Sequence, residues 1–172
     1  MNLRERRIAN ELAMLKALAE CNPDVLRIHT STLDEFDVTL RSTTGIVQTV
    51  DGLIERSEHR MTFRFPRYFP SLPVEAYFRD PVFHPNVDPI NGFACLWLEP
   101  NLRHNVLDAL RIAQALITFR TQNLDPRHIV QPEAVSASNP LPFIRLTCSP
   151  DWELLVPSRT RSTPARRRLT PS

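Results

Sequence analysis

Four stretches of the chain alternate apolar and polar residues with period two, the pattern of strands with one buried and one wet face. Leu26 and Ile28 interleave with Arg27 and His29; Phe36, Val38 and Leu40 with Asp37, Thr39 and Arg41. Met61, Phe63 and Phe65 interleave with Thr62 and Arg64; Val74, Ala76 and Phe78 with Glu75 and Tyr77. No long helical pattern separates them, so the spacing predicts a four-stranded antiparallel meander. Before it, Ile8, Leu12, Leu15 and Ala19 recur at steps of four, three and four, which predicts a helix over Leu3–Glu20. After it, Asn105 caps a second, central helix, with Val106, Leu110, Ala113 and Ile117 as its buried stripe and an end near Arg120. Helices at both ends of a meander cover its apolar face, an α+β class.

Between Phe65 and Gly92 the pattern changes. Pro66, Pro70, Pro73, Pro81, Pro85 and Pro89 crowd a short span. Proline lacks an N–H and fixes φ, so Arg79 to Leu102 is expected to be an extended loop held by side chains, a kind of segment that usually carries function. Beyond Asp125-Pro126 the sequence reads as loop and short elements, with Phe143-Ile144 and Asp151–Leu155 unplaced.

At 172 residues, 42% hydrophobic and 23% charged, the chain fits one domain, expected over residues 1–157, with an appendage at 158–172. Net charge is +2, unevenly spread: Arg159, Arg161, Arg166, Arg167 and Arg168 crowd the end, and the body carries 16 basic against 19 acidic residues. The tail has too little apolar surface to offset its ordering entropy and is expected to be disordered and solubilising, with nucleic-acid binding not expected. No apolar run is long enough to span a membrane, and the charged, amphipathic N-terminus is unlike a signal peptide, so a cytoplasmic location is expected. Arg4, Arg6 and Arg7 open the first helix, where its dipole disfavours positive charge, which suggests a partner-facing surface.

Cys21, Cys95 and Cys148 are an odd count without a CxxC pair, arguing against a disulfide framework or a zinc knuckle. A lone cysteine is more often a small buried hydrophobe than a nucleophile. Cys95 has a different setting: it follows Asn91-Gly92 in the irregular loop, nine positions after His84-Pro85-Asn86. A thiol that carries an acyl group needs a donor for the oxygen that becomes negative when the thioester is attacked, and the Asn86 amide offers one. His84 and His104 lie near in sequence, but neither stands in a triad pattern for a thiol hydrolase. Zinc held by His84, Cys95 and His104 lacks a fourth ligand and a usual spacing. No metal or cofactor is expected.

Together these residues resemble the E2 ubiquitin-conjugating enzymes. Phe65-Pro66-Arg67-Tyr68-Phe69-Pro70-Ser71-Leu72-Pro73 is similar to that family's FPxxYPxxPP segment, Val82–Val87 to its aromatic-HPN signature, and Gly92-Phe93-Ala94-Cys95-Leu96 to its GxxCL turn. The motifs cover roughly residues 60–114. The resemblance implies a UBC-like fold and a carrier in which Cys95 accepts a ubiquitin-like protein as a thioester from an E1-like activating enzyme and passes it to an amine. Asn86 would then serve the oxyanion, His84 would lock the loop, Asp125 would orient or deprotonate the incoming lysine unless Arg127 falls at that place, and the first helix's arginines would face the activating enzyme. The chain departs from the family at the spacing of Asn86 and Cys95, one residue longer than usual, and at Trp97, where an Asp is usual. Asn101–His104 lacks the WxP motif. Such divergence looks like the E2-like proteins of bacterial gene clusters, which accompany a JAB-type protease. The alternative is a non-catalytic E2-variant or RWD-type interaction module.

Overall fold

The computed structural model describes residues 2–147 except Pro100, Arg103 and Ser138. Cys148, the Asp151–Leu155 stretch and the tail at 158–172 lie outside the described residues.

The first helix, α1 (Leu3–Cys21), begins at a capping box: the Asn2 side chain accepts from the Glu5 N–H and the Glu5 carboxylate accepts from the Asn2 N–H. Its buried face is Ile8, Glu11, Met14, Leu15 and Leu18, one position round from the stripe expected, with Leu12 and Ala19 only half-buried. Glu11 makes the difference. Its carboxylate is fully buried, accepting from Arg7 Nε at 2.7 Å and from the Val106 N–H at 2.7 Å, so a charged residue holds two elements together.

The four expected strands exist as β1 (Leu26–Ser31), β2 (Glu35–Leu40), β5 (His59–Arg64) and β6 (Glu75–Phe78), each antiparallel to the next. The meander is not limited to four. A hairpin, β3 (Gly45–Thr49) and β4 (Gly52–Arg56), forms a separate two-stranded sheet between β2 and β5, and a short β7 (Phe93–Ala94) extends the main sheet to the order β1-β2-β5-β6-β7. The hairpin escapes a period-two reading because apolar residues stand side by side in both strands: Leu53 and Ile54 are exposed whereas Val47 is fully buried. It braces the irregular loop, with the Gln48 N–H donating to the Pro81 carbonyl and the Phe83 N–H to the Ile46 carbonyl, both at 2.8 Å.

One face of the sheet packs on α1 and α2 (Val106–Ile117), with Phe36 stacked on Phe63 and tilted against Phe65 in the core. Asn105 caps α2 as expected, its side chain accepting from the Leu107 and Asp108 N–H groups. The chain after α2 returns across the core through a 3-10 helix (Pro132–Ser136). Gln114 Nε2, buried in α2, donates to the Ile144 carbonyl at 3.0 Å, and Asn22 clasps the Thr147 backbone from the end of α1. Phe143 lies half-buried beneath Arg120, and Ile144 is exposed. Among the described residues no helix is long and apolar enough to cross a membrane.

Candidate active site

The loop after β6 is built around Asn86, which is 2% exposed. Its N–H donates to His84 Nδ1 at 3.1 Å and its carbonyl accepts from the Cys95 N–H at 2.9 Å. Its side-chain nitrogen donates to the carbonyls of Asn123 (2.7 Å) and His128 (3.0 Å), and its Oδ1 accepts from the Asn123 N–H at 2.8 Å. One residue thus joins the HPN run, the cysteine and the segment after α2. Both amide hydrogens of Asn86 are committed to backbone carbonyls in this arrangement. An oxyanion at Cys95 receives one only after a carbonyl lets go.

His84 is fully buried, and burial pushes it down to about 4. Nδ1 accepts a backbone N–H, so the ring proton sits on Nε2, which donates to the Thr121 carbonyl at 3.2 Å. Both nitrogens of this neutral ring are used in holding the loop. The turn leading to Cys95 is fixed by Asp88, whose carbonyl accepts from the Gly92 N–H at 2.9 Å and whose N–H donates to the Phe93 carbonyl at 2.8 Å. Gly92 has φ of +75°, and a Cβ there would stand 2.0 Å from the Phe78 carbonyl oxygen, so no other residue fits without moving β6.

Cys95 is half-buried, and that burial pushes its thiol up. Its sulfur lies 3.1 Å from His128 Nδ1. Sequence reasoning missed His128, having sought a histidine only near the cysteine in the chain and an acidic residue after α2. The available signal was a histidine in that same post-helix turn, Asp125-Pro126-Arg127-His128. Folding brings it in because the Val130 N–H donates to the Pro85 carbonyl at 2.8 Å and buried Gln131 Nε2 donates to the carbonyls of Val82 and Val87.

Asp125 stands on the same turn, its carbonyl accepting from the His128 N–H at 2.8 Å. Its carboxylate grips Arg127, the other candidate for that position: Arg127 Nε donates to Oδ1 at 3.0 Å and to Oδ2 at 3.2 Å. This forked pairing holds the Asp125 carboxyl down at about 2. It is ionised, and its charge is already met by a guanidinium.

A groove of about 460 Å³ runs from Cys95 and Asn86 past Leu96, Trp97 and Leu98 to Ile112 on α2. Trp97 forms its floor: Nε1 donates to the Val74 carbonyl at 2.8 Å, and its ring stacks on His104 with centroids 4.1 Å apart. His104 is also tied to the Glu99 carbonyl at 3.1 Å through Nε2. Among the described residues no group of three or more His, Cys, Asp or Glu side chains is placed to hold a metal ion. Two of the three helix arginines are used internally. Arg4 bonds Asp34 (2.7 Å) and the Phe65 carbonyl, and Arg7 bonds Glu11, which leaves Arg6 as the exposed one.

The fold has solved counterparts. A protein designated a ubiquitin conjugating enzyme, from Trypanosoma cruzi, superposes with a TM-score of 0.56 at 18% identity, over 75% of this chain and 85% of that one. Another so designated, from Plasmodium yoelii, superposes with a TM-score of 0.52 at 16% identity, over 74% of this chain and 80% of that one. No protein-family description and no curated protein matches the chain. These likenesses show a UBC-like fold: an N-terminal helix, an antiparallel sheet and a following helix. Neither neighbour is bacterial, so the expected bacterial affiliation draws no support from them.

Proposed function

We propose that this chain is an E2-like carrier: Cys95 accepts the C-terminal carboxyl group of a ubiquitin-like protein from an E1-like activating enzyme as a thioester and passes it to an amine. The observation that carries this reading is the position of the Cys95 sulfur. It is half-buried, faces an imidazole nitrogen at 3.1 Å and opens onto a largely apolar groove on a UBC-like fold. An apolar groove beside a thiol suits an extended peptide end, whose carbonyl it would hold against the sulfur.

Exchange of one thioester for another needs little driving force, so the domain has only to align two sulfurs and supply a thiolate. When an amine then attacks, negative charge gathers on the carbonyl oxygen beside Asn86. Asn86 serves it by releasing the carbonyl of Asn123 or His128, a small shift of the loop after α2. His84 keeps the loop in place, and Asp125, balanced by Arg127, sits on the turn an incoming amine would pass. An activating enzyme, a ubiquitin-like protein and, in the extended form of this reading, a JAB-type protease are its partners.

Incubation with an activating enzyme, its ubiquitin-like protein and ATP tests the carrier. A reductant-sensitive adduct is expected, lost in Cys95→Ala and converted to a more durable oxyester in Cys95→Ser. Asn86→Ala is expected to charge but to discharge to amines about 10²-fold more slowly, the size seen where oxyanion donors are removed. Equal discharge removes that role from Asn86. Absence of any adduct favours the non-catalytic interaction module.

A further inference from the structure

The contact between Cys95 and His128 is built rather than incidental. Nucleophile and imidazole hang from the same residue: the Asn86 carbonyl holds the Cys95 N–H at 2.9 Å, and its side-chain amide holds the His128 carbonyl at 3.0 Å. The two other described histidines nearest in the fold are spent, His84 on Asn86 and Thr121 and His104 on Glu99 and Trp97. His128 has a ring nitrogen directed at the sulfur.

We propose that His128 is the general base of Cys95, taking the thiol proton as the sulfur is acylated and the acceptor's proton as the acyl group departs. The role rests on the carrier reading, but the pair itself does not. In charging, the S–H proton passes to His128 Nδ1, and the thiolate attacks the carbonyl carbon of the incoming thioester. The bond to the activating enzyme's sulfur breaks, and that thiolate collects the proton from the imidazolium, which leaves the ring neutral. In discharge, a neutral amine adds to the carbonyl carbon, its proton passes to Nδ1, and the C–Sγ bond breaks. The thiolate and imidazolium left behind are the pair that attacks in the next charging step. Burial of Cys95 disfavours its thiolate in isolation, which is why a base at hydrogen-bond distance matters here.

Other charged and titratable groups face the pair. Asp125 lies on the same turn as His128 but is paired with Arg127, and Glu99, His104 and Arg111 line the groove with Cys95.

The test follows alkylation by iodoacetamide from pH 5 to 10 in the full chain carrying Cys21→Ser and Cys148→Ser. Expected is a reactive plateau that begins near the histidine range and, in His128→Gln, a rate at pH 7 lower by about tenfold or more that recovers only above about pH 9. Because the His128 carbonyl, not its ring, carries the loop contact, the substitution spares the tether to Asn86. Identical profiles for both proteins overturn the proposal. A second measurement leaves His128 in place: its ring titration followed by NMR is expected to shift downward in Cys95→Ala, and an unchanged midpoint also overturns it. Neither measurement needs an activating enzyme. A positive pair in a chain that never charges would sink the carrier reading alone.

Discussion

His84 is neutral because it is sealed from water and because one nitrogen must accept a backbone N–H while the other donates. Its folded value of about 4 lies below the ordinary 6.5. A depressed histidine stabilises the fold fully above the unfolded value, and that stability drains away as pH falls through the window from 6.5 to 4. Buried His59 is shifted in the same direction by its own desolvation and adds to the effect. Urea midpoints are expected to be flat above pH 7 and to fall between pH 6.5 and 5, with up to about 3 kcal/mol at stake for His84 over the full shift. A midpoint indifferent to pH across that range contradicts the neutral, locked ring. For Asn86→Ala the carbonyls of Asn123 and His128 and the Asn123 N–H lose their partner, so a loss of roughly 2 to 4 kcal/mol in equilibrium unfolding is expected. Asn86→Asp should fare no better, since it turns an acceptor toward two carbonyls; wild-type stability in either variant would mean that the tether carries no weight.

Among elements, α2 depends on two polar residues at its first turn: Asn105, its cap, and Glu11, which reaches from α1 to the Val106 N–H. Glu11→Ala is expected to cost about 2 to 3 kcal/mol by urea titration, since it strands a buried N–H and frees Arg7; an unchanged midpoint contradicts the pinning of α2 to α1. Glu11 also shows why the face of α1 was misread: a pattern search assumes that carboxylates point to water, and this one has two partners inside. β1, β2, β5 and β6 were legible because each alternates cleanly against a one-sided core. The β3–β4 hairpin was not, because Ile46-Val47 and Leu53-Ile54 blur the alternation. Its one local sign was Asp51-Gly52 at the turn, where Gly52 takes φ of +116°. Cys95, Asn86 and His84 were legible as motif residues within one loop. His128, thirty-three residues from Cys95 in sequence, was not, since long-range bonds of Asn86, Val130 and Gln131 between the HPN loop and the segment after α2 bring it there.

At the scale of the whole molecule, α1 and the sheet form a frame, and a set of polar stitches ties the HPN loop into it. Glu11 sets α2, Gln131 and β3 brace the HPN run, and Asn86 gathers Cys95 and His128 to a common point. A frame of that kind suits a protein whose chemistry is alignment more than bond activation, with the groove beside Trp97 as the place where a partner's chain end would lie. The most direct test is to charge the protein with an activating enzyme, a ubiquitin-like protein and ATP, digest it without reductant and locate the acyl group by mass spectrometry. The account predicts a thioester on Cys95 and none on Cys21 or Cys148. An acyl group found on another residue, or an unmodified Cys95 peptide across ubiquitin and the ubiquitin-like proteins tried with their own activating enzymes, would contradict it.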